Sequence, residues 1–188
     1  MSTFKVTFAG GAQMPTGSNF LVEFGGKKIL IDCGLVQGEK YSIPLNSAPF
    51  TYDTGSVDFL FITHAHLDHV GRIPFLVKNG FKGKIVSTAP TREMAELIML
   101  DSVKLLAKES VHSGAPLIFE EKNVFESMQL WNTTIGYEQG FAVPTDDGDA
   151  VITYHDAGHI LGSAIVEIAY KGKKIAFTGD LGNTPSPL

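Results

Sequence analysis

The segment Thr63-His64-Ala65-His66-Leu67-Asp68-His69 concentrates metal-binding side chains in seven positions. The chain has only 6 histidines, and a chance H-x-H-x-D-H arrangement has a probability on the order of 10⁻⁴ to 10⁻³. The preceding run Val57–Thr63 (VDFLFIT) reads as a buried strand. His64 and His66, two apart at its end, therefore project from one face. Asp68 and His69 then turn back into a following helix, so one compact segment can serve two neighbouring ions. Imidazole nitrogen and carboxylate oxygen suit zinc, with manganese or iron as competitors.

One segment supplies too few ligands for two ions, so partners must come from elsewhere. His159 follows a strand over Val151–His155, Asp180 follows one over Lys174–Thr178, and Asp32 follows one over Lys28–Ile31. All four groups stand just beyond strand ends, where α/β sheets place their sites. A shared centre requires His159 and Asp180 to lie near the 64–69 loop, and a separation well over about 10 Å would exclude it. Asp180 is expected to bridge two ions. Asp32 is expected to accept a hydrogen bond from a ligand imidazole and fix its tautomer. His112 and His155 belong to no such pattern and are assigned to structure or surface, and Cys33 to packing.

The elements carrying these groups alternate strand and helix. Met1–Phe8 alternates like a strand and lacks the apolar region of a signal peptide. A helix is expected near Asp68–Asn79 with Pro74 in its early turns, then a short strand at Lys84–Thr88. Thr91 reads as the N-cap of a long helix reaching about Ser110, with Met94, Leu97, Ile98, Val103, Leu105 and Leu106 as its core face. Another helix is expected over Glu120–Trp131. Asp146-Asp147-Gly148-Asp149 reads as a solvated turn, since no complete EF-hand pattern follows. Two stretches also repeat one another. Gly17-Ser18, Val22-Glu23, Gly26-Lys27-Lys28-Ile29 and Asp32-Cys33-Gly34 are matched by Gly162-Ser163, Val166-Glu167, Gly172-Lys173-Lys174-Ile175 and Asp180-Leu181-Gly182. Each is a hairpin signature, and the likeness either follows from two hairpins sharing turn chemistry or marks an internal duplication.

Composition bounds the function. The 188 residues are 44% hydrophobic and 19% charged, which excludes a disordered chain. Apolar runs are too short to span a bilayer. One cysteine cannot form an internal disulfide and fits a reducing compartment. A net charge of -5 argues against indiscriminate nucleic-acid binding. No basic stripe and no RNP-like aromatic pair is present.

These motifs resemble those of the metallo-β-lactamase-fold hydrolases. The resemblance implies an α/β fold, a four-layer αβ/βα sandwich whose internal pseudo-symmetry would explain the repeated hairpin. It also implies His64, His66, Asp68, His69, His159 and Asp180 as metal ligands, with Asp32 matching the family's first aspartate. The runs Asp32–Gly38, His69–Leu76 and Asp156–Ala164 are similar to the RNA-processing β-CASP branch, which includes cleavage-and-polyadenylation nucleases and ribonuclease J. That branch implies a zinc-dependent phosphodiesterase acting on RNA. His64, His66 and His159 would hold the first zinc, and Asp68 and His69 the second, with Asp180 between them; Mn²⁺ or Fe²⁺ are alternatives. Hydroxide would attack phosphorus in line, with Asp68 and Asp32 as the catalytic carboxylates and Asp68 orienting the nucleophile. The expected partner is RNA, with a homo-oligomer left open, no membrane, and a cytoplasmic location.

The sequence departs from the branch pattern at Leu188. Members continue with an inserted β-CASP domain and a return segment that supplies a further ligand histidine and a proton-donating histidine. Residues 1–188 are therefore expected to be the N-terminal portion of a metallo-β-lactamase-like domain, incomplete at its C-terminus, with an open position at the second metal. The competing readings are a glyoxalase II-like thioesterase or a β-lactamase, and a truncated non-catalytic domain.

Overall fold

Two sheets and one layer of helices are built from residues 4–38 and 42–183, the residues described by the computed structural model. The first sheet contains, in spatial order, β1 (Lys5–Gly10), β2 (Asn19–Phe24), β3 (Lys27–Ile31), β4 (Phe59–Phe61), β5 (Lys84–Ser87) and β6 (Thr133–Thr134). Strands β1 to β3 pair antiparallel and β3 to β6 pair parallel. The second sheet is an antiparallel meander of β7 (Gly140–Thr145), β8 (Gly148–Asp156), β9 (Ala164–Tyr170) and β10 (Lys173–Phe177). The helices are α1 (Ser42–Ser47), α2 (Leu67–Val70), α3 (Ile73–Lys78), α4 (Ala89–Ser113) and α5 (Glu121–Leu130).

Strand alternation divides the first sheet between two cores. Leu21, Leu30, Leu60 and Ile85 face the helices, packing with Ile73, Leu76, Met99, Val124 and Trp131. Val22, Ile29, Ile31, Phe61 and Val86 face the second sheet, packing with Val143, Ile152, Tyr154, Val166 and Ile168. Full burial of each such side chain contributes roughly 1.5–3 kcal/mol. The two largest buried side chains also satisfy their polar tips. Trp131 donates Nε1–H to Ser87 Oγ at 2.9 Å, and Tyr154 donates its hydroxyl to the Val86 carbonyl at 2.9 Å. The described residues thus form three layers, helix–sheet–sheet, of the α/β sandwich. A fourth, helical layer is not among them.

Several local expectations are corrected. The helix expected over Asp68–Asn79 is two helices, α2 and α3. Arg72 N–H turns aside to donate to the Cys33 carbonyl at 2.9 Å, which interrupts the ladder, and Pro74 then sits in the first turn of α3, where no N–H is needed. The cap of α4 is Thr88, not Thr91: Thr88 Oγ1 accepts from Thr91 N–H, and Pro90 occupies the opening turn. This helix continues to Ser113, where Gly114 at φ +71° ends it. Leu97 and Leu105 are exposed, not core, because Ala95, Met99 and Ser102 define the inward face. The strand expected over Val57–Thr63 narrows to Phe59–Phe61. Met1–Thr3 of the first expected strand lie outside the described residues, Phe4 precedes β1, and β1 runs from Lys5 on to Gly10.

Strands β3 and β4 run parallel, and β8 and β10 run the same way as each other across β9. The residues following these four strands supply Asp32, the 63–69 loop, the 157–163 loop and Asp180. Crossing this edge, Ala164 N–H donates to the Thr63 carbonyl at 2.8 Å, joining the two sheets where the loops meet.

Candidate metal centre

The 63–69 loop is held by its backbone, which frees its side chains for chemistry. Three successive carbonyls accept hydrogen bonds: Leu67 from Leu35 N–H at 3.0 Å, Asp68 from Ser18 N–H at 2.9 Å, and His69 from Cys33 N–H at 2.8 Å. Gly34 makes this approach possible, since a Cβ there would lie 1.5 Å from the Asp68 carbonyl oxygen. His66 takes the N-cap position of α2 with no capping bond from its ring.

The 157–163 loop is held differently, through a buried serine. Ser163 Oγ accepts from the N–H groups of His159 (3.1 Å) and Ile160 (3.2 Å). The Thr88 and Thr91 hydroxyls, at the start of α4, donate to the Gly162 carbonyl at 2.7 and 2.9 Å. The longest helix therefore fixes the loop that carries His159.

Imidazoles and a carboxylate from the separate loops meet. His66 Nδ1 lies 3.1 Å from His64 Nε2 and 3.2 Å from His159 Nε2. Asp180 Oδ2 lies 3.8 Å from His64 Nε2 and 3.6 Å from His159 Nε2. These four residues each offer one ligand atom, all within 4.8 Å of one another. The other oxygen, Asp180 Oδ1, lies 3.4 Å from His69 Nε2, which is 3.8 Å from Asp68 Oδ2. His159 and Asp180 are thus well inside the distance the shared centre requires.

The donor set fits a divalent cation. A proton on His66 Nδ1 could satisfy only one of its two imidazole neighbours, so the cluster has more lone pairs than protons to share. Tetrahedral zinc with bonds of about 2.0–2.1 Å sets its nitrogens about 3.3 Å apart, close to the 3.1 and 3.2 Å that separate His66 Nδ1 from its two imidazole neighbours. Burial, followed by the charges of His69, His66 and His159, pulls the His64 pKa down to about 2, so this ring is neutral and its lone pair free at ordinary pH.

Asp32 supports this cluster from beneath. It is 1% exposed and takes φ +56°, a conformation that aspartate tolerates better than most side chains. Its Oδ1 accepts from Thr63 N–H at 2.8 Å, and its Oδ2 lies 2.8 Å from both His69 Nδ1 and Thr63 Oγ1. Burial lowers the His69 pKa, but the Asp32 hydrogen bond and the charges of Asp32, Asp68 and Asp180 outweigh it, so the net shift is upward. Beside the cluster, a cleft of about 360 Å³ is lined in part by Ser18, Asp32, His69, Thr178 and Asp180.

The other titratable groups stay apart. His155 Nδ1 lies 2.8 Å from Glu138 Oε1 at the surface, and His112 is exposed in the last turn of α4. Cys33 is buried, and that burial pushes its thiol up to about 12 against the opposing charge of Arg72. Two supporting residues escaped the sequence reading: Thr63 and Ser163. Ser163 carried a signal, as part of the repeated Gly-Ser pair. Thr63 carried only its place before His64.

Residues 21–184 match the metallo-β-lactamase superfamily domain. The chain belongs to the metallo-β-lactamase superfamily. Among curated relatives, it is 33% identical over 180 residues to ribonuclease TTHA0252 of Thermus thermophilus, a match covering 93% of this chain and 37% of that protein. It is 35% identical to transcription termination factor FttA of Methanosarcina mazei, covering 94% of this chain and 27% of the relative. It is 32% identical to cleavage and polyadenylation specificity factor 73 of Drosophila melanogaster, covering 91% and 24%. The chain therefore spans well under half the length of these relatives. A metallo-β-lactamase of Cronobacter sakazakii with a HARLDQ motif shares the fold at TM-score 0.58 and 20% identity, over 92% of this chain and 60% of that one. Among the described residues no helix is long and apolar enough to cross a membrane.

Proposed function

We propose that this metallo-β-lactamase domain supplies ligands to the two-zinc centre of a β-CASP-type ribonuclease, which hydrolyses phosphodiester bonds of RNA. The division of Asp180 carries this reading, because its Oδ2 faces His64 and His159 while its Oδ1 faces His69. A carboxylate so placed can serve two cations at once. His64, His66 and His159 would hold one, and His69 and Asp68 the other; manganese or iron could replace zinc in this mixed nitrogen and oxygen set. Such cations supply a lowered water pKa and neutralise charge on a phosphoryl oxygen. Asp68 accepts a hydrogen bond from the attacking water and orients it toward phosphorus. Asp32 holds the His69 ring so that Nε2 faces Asp68 and Asp180. The named relatives favour RNA over thioesters as substrate. The single buried cysteine fits a cytoplasmic setting.

The test is hydrolysis of bis-p-nitrophenyl phosphate and of a single-stranded RNA by the purified chain. Cleavage should stop with a chelator, return with zinc or manganese, and be absent in Asp180→Ala. Turnover of S-lactoylglutathione, with both phosphodiesters untouched, would assign a thioesterase instead.

A further inference from the structure

Thr63 is 1% exposed, and its hydroxyl stands between a carboxylate and an imidazole: Oγ1 is 2.8 Å from Asp32 Oδ2 and 3.0 Å from His64 Nδ1. We propose that Thr63 is a positioning residue, relaying the carboxylate of Asp32 to His64 Nδ1 and thereby keeping the His64 Nε2 lone pair aimed into the metal cluster. This inference rests on the metal-site reading above.

Counting protons fixes the direction of the relay. A carboxylate only accepts, so the one hydroxyl proton of Thr63 goes to Asp32. The oxygen of Thr63 is then left as the acceptor facing His64 Nδ1, which must carry its ring's proton. The reverse arrangement would set two acceptors 2.8 Å apart at Asp32 and turn an N–H of His64, in place of its lone pair, toward the cluster. Neither ring nor hydroxyl can escape to water, since His64 is 0% exposed. Gly179 presses on the same side chain: a Cβ at that position would lie 2.7 Å from both Cβ and Oγ1 of Thr63. One buried carboxylate therefore sets two imidazoles, His69 directly and His64 through Thr63.

Nitrogen-15 NMR of the metal-free protein reads the tautomer of His64 without any substitution. The expected result is a proton on Nδ1. In Thr63→Val, which keeps the shape and loses the hydroxyl, that preference should disappear, and Thr63→Ser should restore it. Zinc affinity, measured by competition with a chromophoric chelator, should fall about tenfold to a hundredfold in Thr63→Val and stay near wild type in Thr63→Ser. A wild-type His64 protonated on Nε2, or a Thr63→Val protein that binds zinc as tightly as wild type, would overturn the relay. A wild-type protein that takes up no zinc would overturn the metal-site reading, while the tautomer measurement still decides the relay. Should Thr63→Val fail to fold, the wild-type spectrum remains the deciding result.

Discussion

The hairpins β2–β3 and β9–β10 share sequence and backbone but present their aspartates to opposite environments. The first turns at Gly25-Gly26 with φ +52° and +75°, the second at Lys171-Gly172 with φ +48° and +73°, the tight turn that suits a right-twisted hairpin. After each, a glycine lies against the carbonyl of a site loop: Gly34 against Asp68, and Gly182 against Gly158. Yet Asp32 is 1% exposed, while the Asp180 side chain is 47% exposed. The neighbours make the difference. Strand β3 is covered by β4 and both cores, whereas β10 is the edge of its sheet among the described residues. The same motif thus delivers a buried carboxylate beneath the histidine cluster in one copy and a half-exposed one facing that cluster in the other.

The glycines test that comparison most severely. Gly34→Ala drives a Cβ into backbone and should cost about 3 kcal/mol or more in denaturant unfolding. Gly182→Ala meets the Gly158 carbonyl oxygen just as closely, at 1.6 Å, but lies in an exposed segment that can yield, so it should cost less; equal losses would mean the two contacts are equally constrained. The aspartates should separate by type of effect. Asp32→Asn mismatches buried donors and should cost about 2 kcal/mol of metal-free stability as well as zinc affinity. Asp180→Asn should reduce bound zinc while moving metal-free stability by only about 0.5 kcal/mol. Similar unfolding midpoints for the two variants would erase the distinction.

Acid should act through His64. Its folded pKa is depressed from 6.5 to about 2 by burial and then by its three histidine neighbours. Its contribution to stability is therefore present above pH 6.5 and lost as pH falls toward 2, by up to about 2 kcal/mol between pH 7 and pH 5. His69, shifted upward, acts in the opposite sense, its contribution being present below pH 6.5 and lost as pH rises through its folded value. Metal-free His64→Asn should consequently lose less stability on acidification than wild type in paired urea titrations. An unchanged pH dependence would remove His64 as the cause. The smallest effect belongs to the turns. Lys171→Gly should stabilise by about 0.5 kcal/mol by relieving a left-handed lysine. Gly25→Lys should destabilise, since a Cβ there meets Tyr170 and Thr145 at 2.7–2.8 Å.

What the sequence disclosed follows the range of the interactions. The 64–69 cluster, the strand ends carrying Asp32, His159 and Asp180, and the repeated hairpin are local patterns, and each falls where periodicity and turn residues put it. The break between α2 and α3 was hidden because its cause, the Cys33 carbonyl drawing Arg72 N–H, comes from a distant strand end. The start of α4 was misplaced because either threonine could cap. Only the folded chain shows both Thr88 and Thr91 donating to Gly162, 71 or more residues away. Thr63 was passed over for a related reason: a hydroxyl acquires its role here from two partners, one of them 31 residues distant.

Loops far apart in sequence meet in one candidate cation site. Zinc content after loading and gel filtration tests it most directly, comparing wild type with His159→Ala, which leaves the whole 64–69 segment intact. At least about one tightly held zinc per wild-type chain is expected, with most of it lost in the variant. Equal zinc in the two proteins would contradict it.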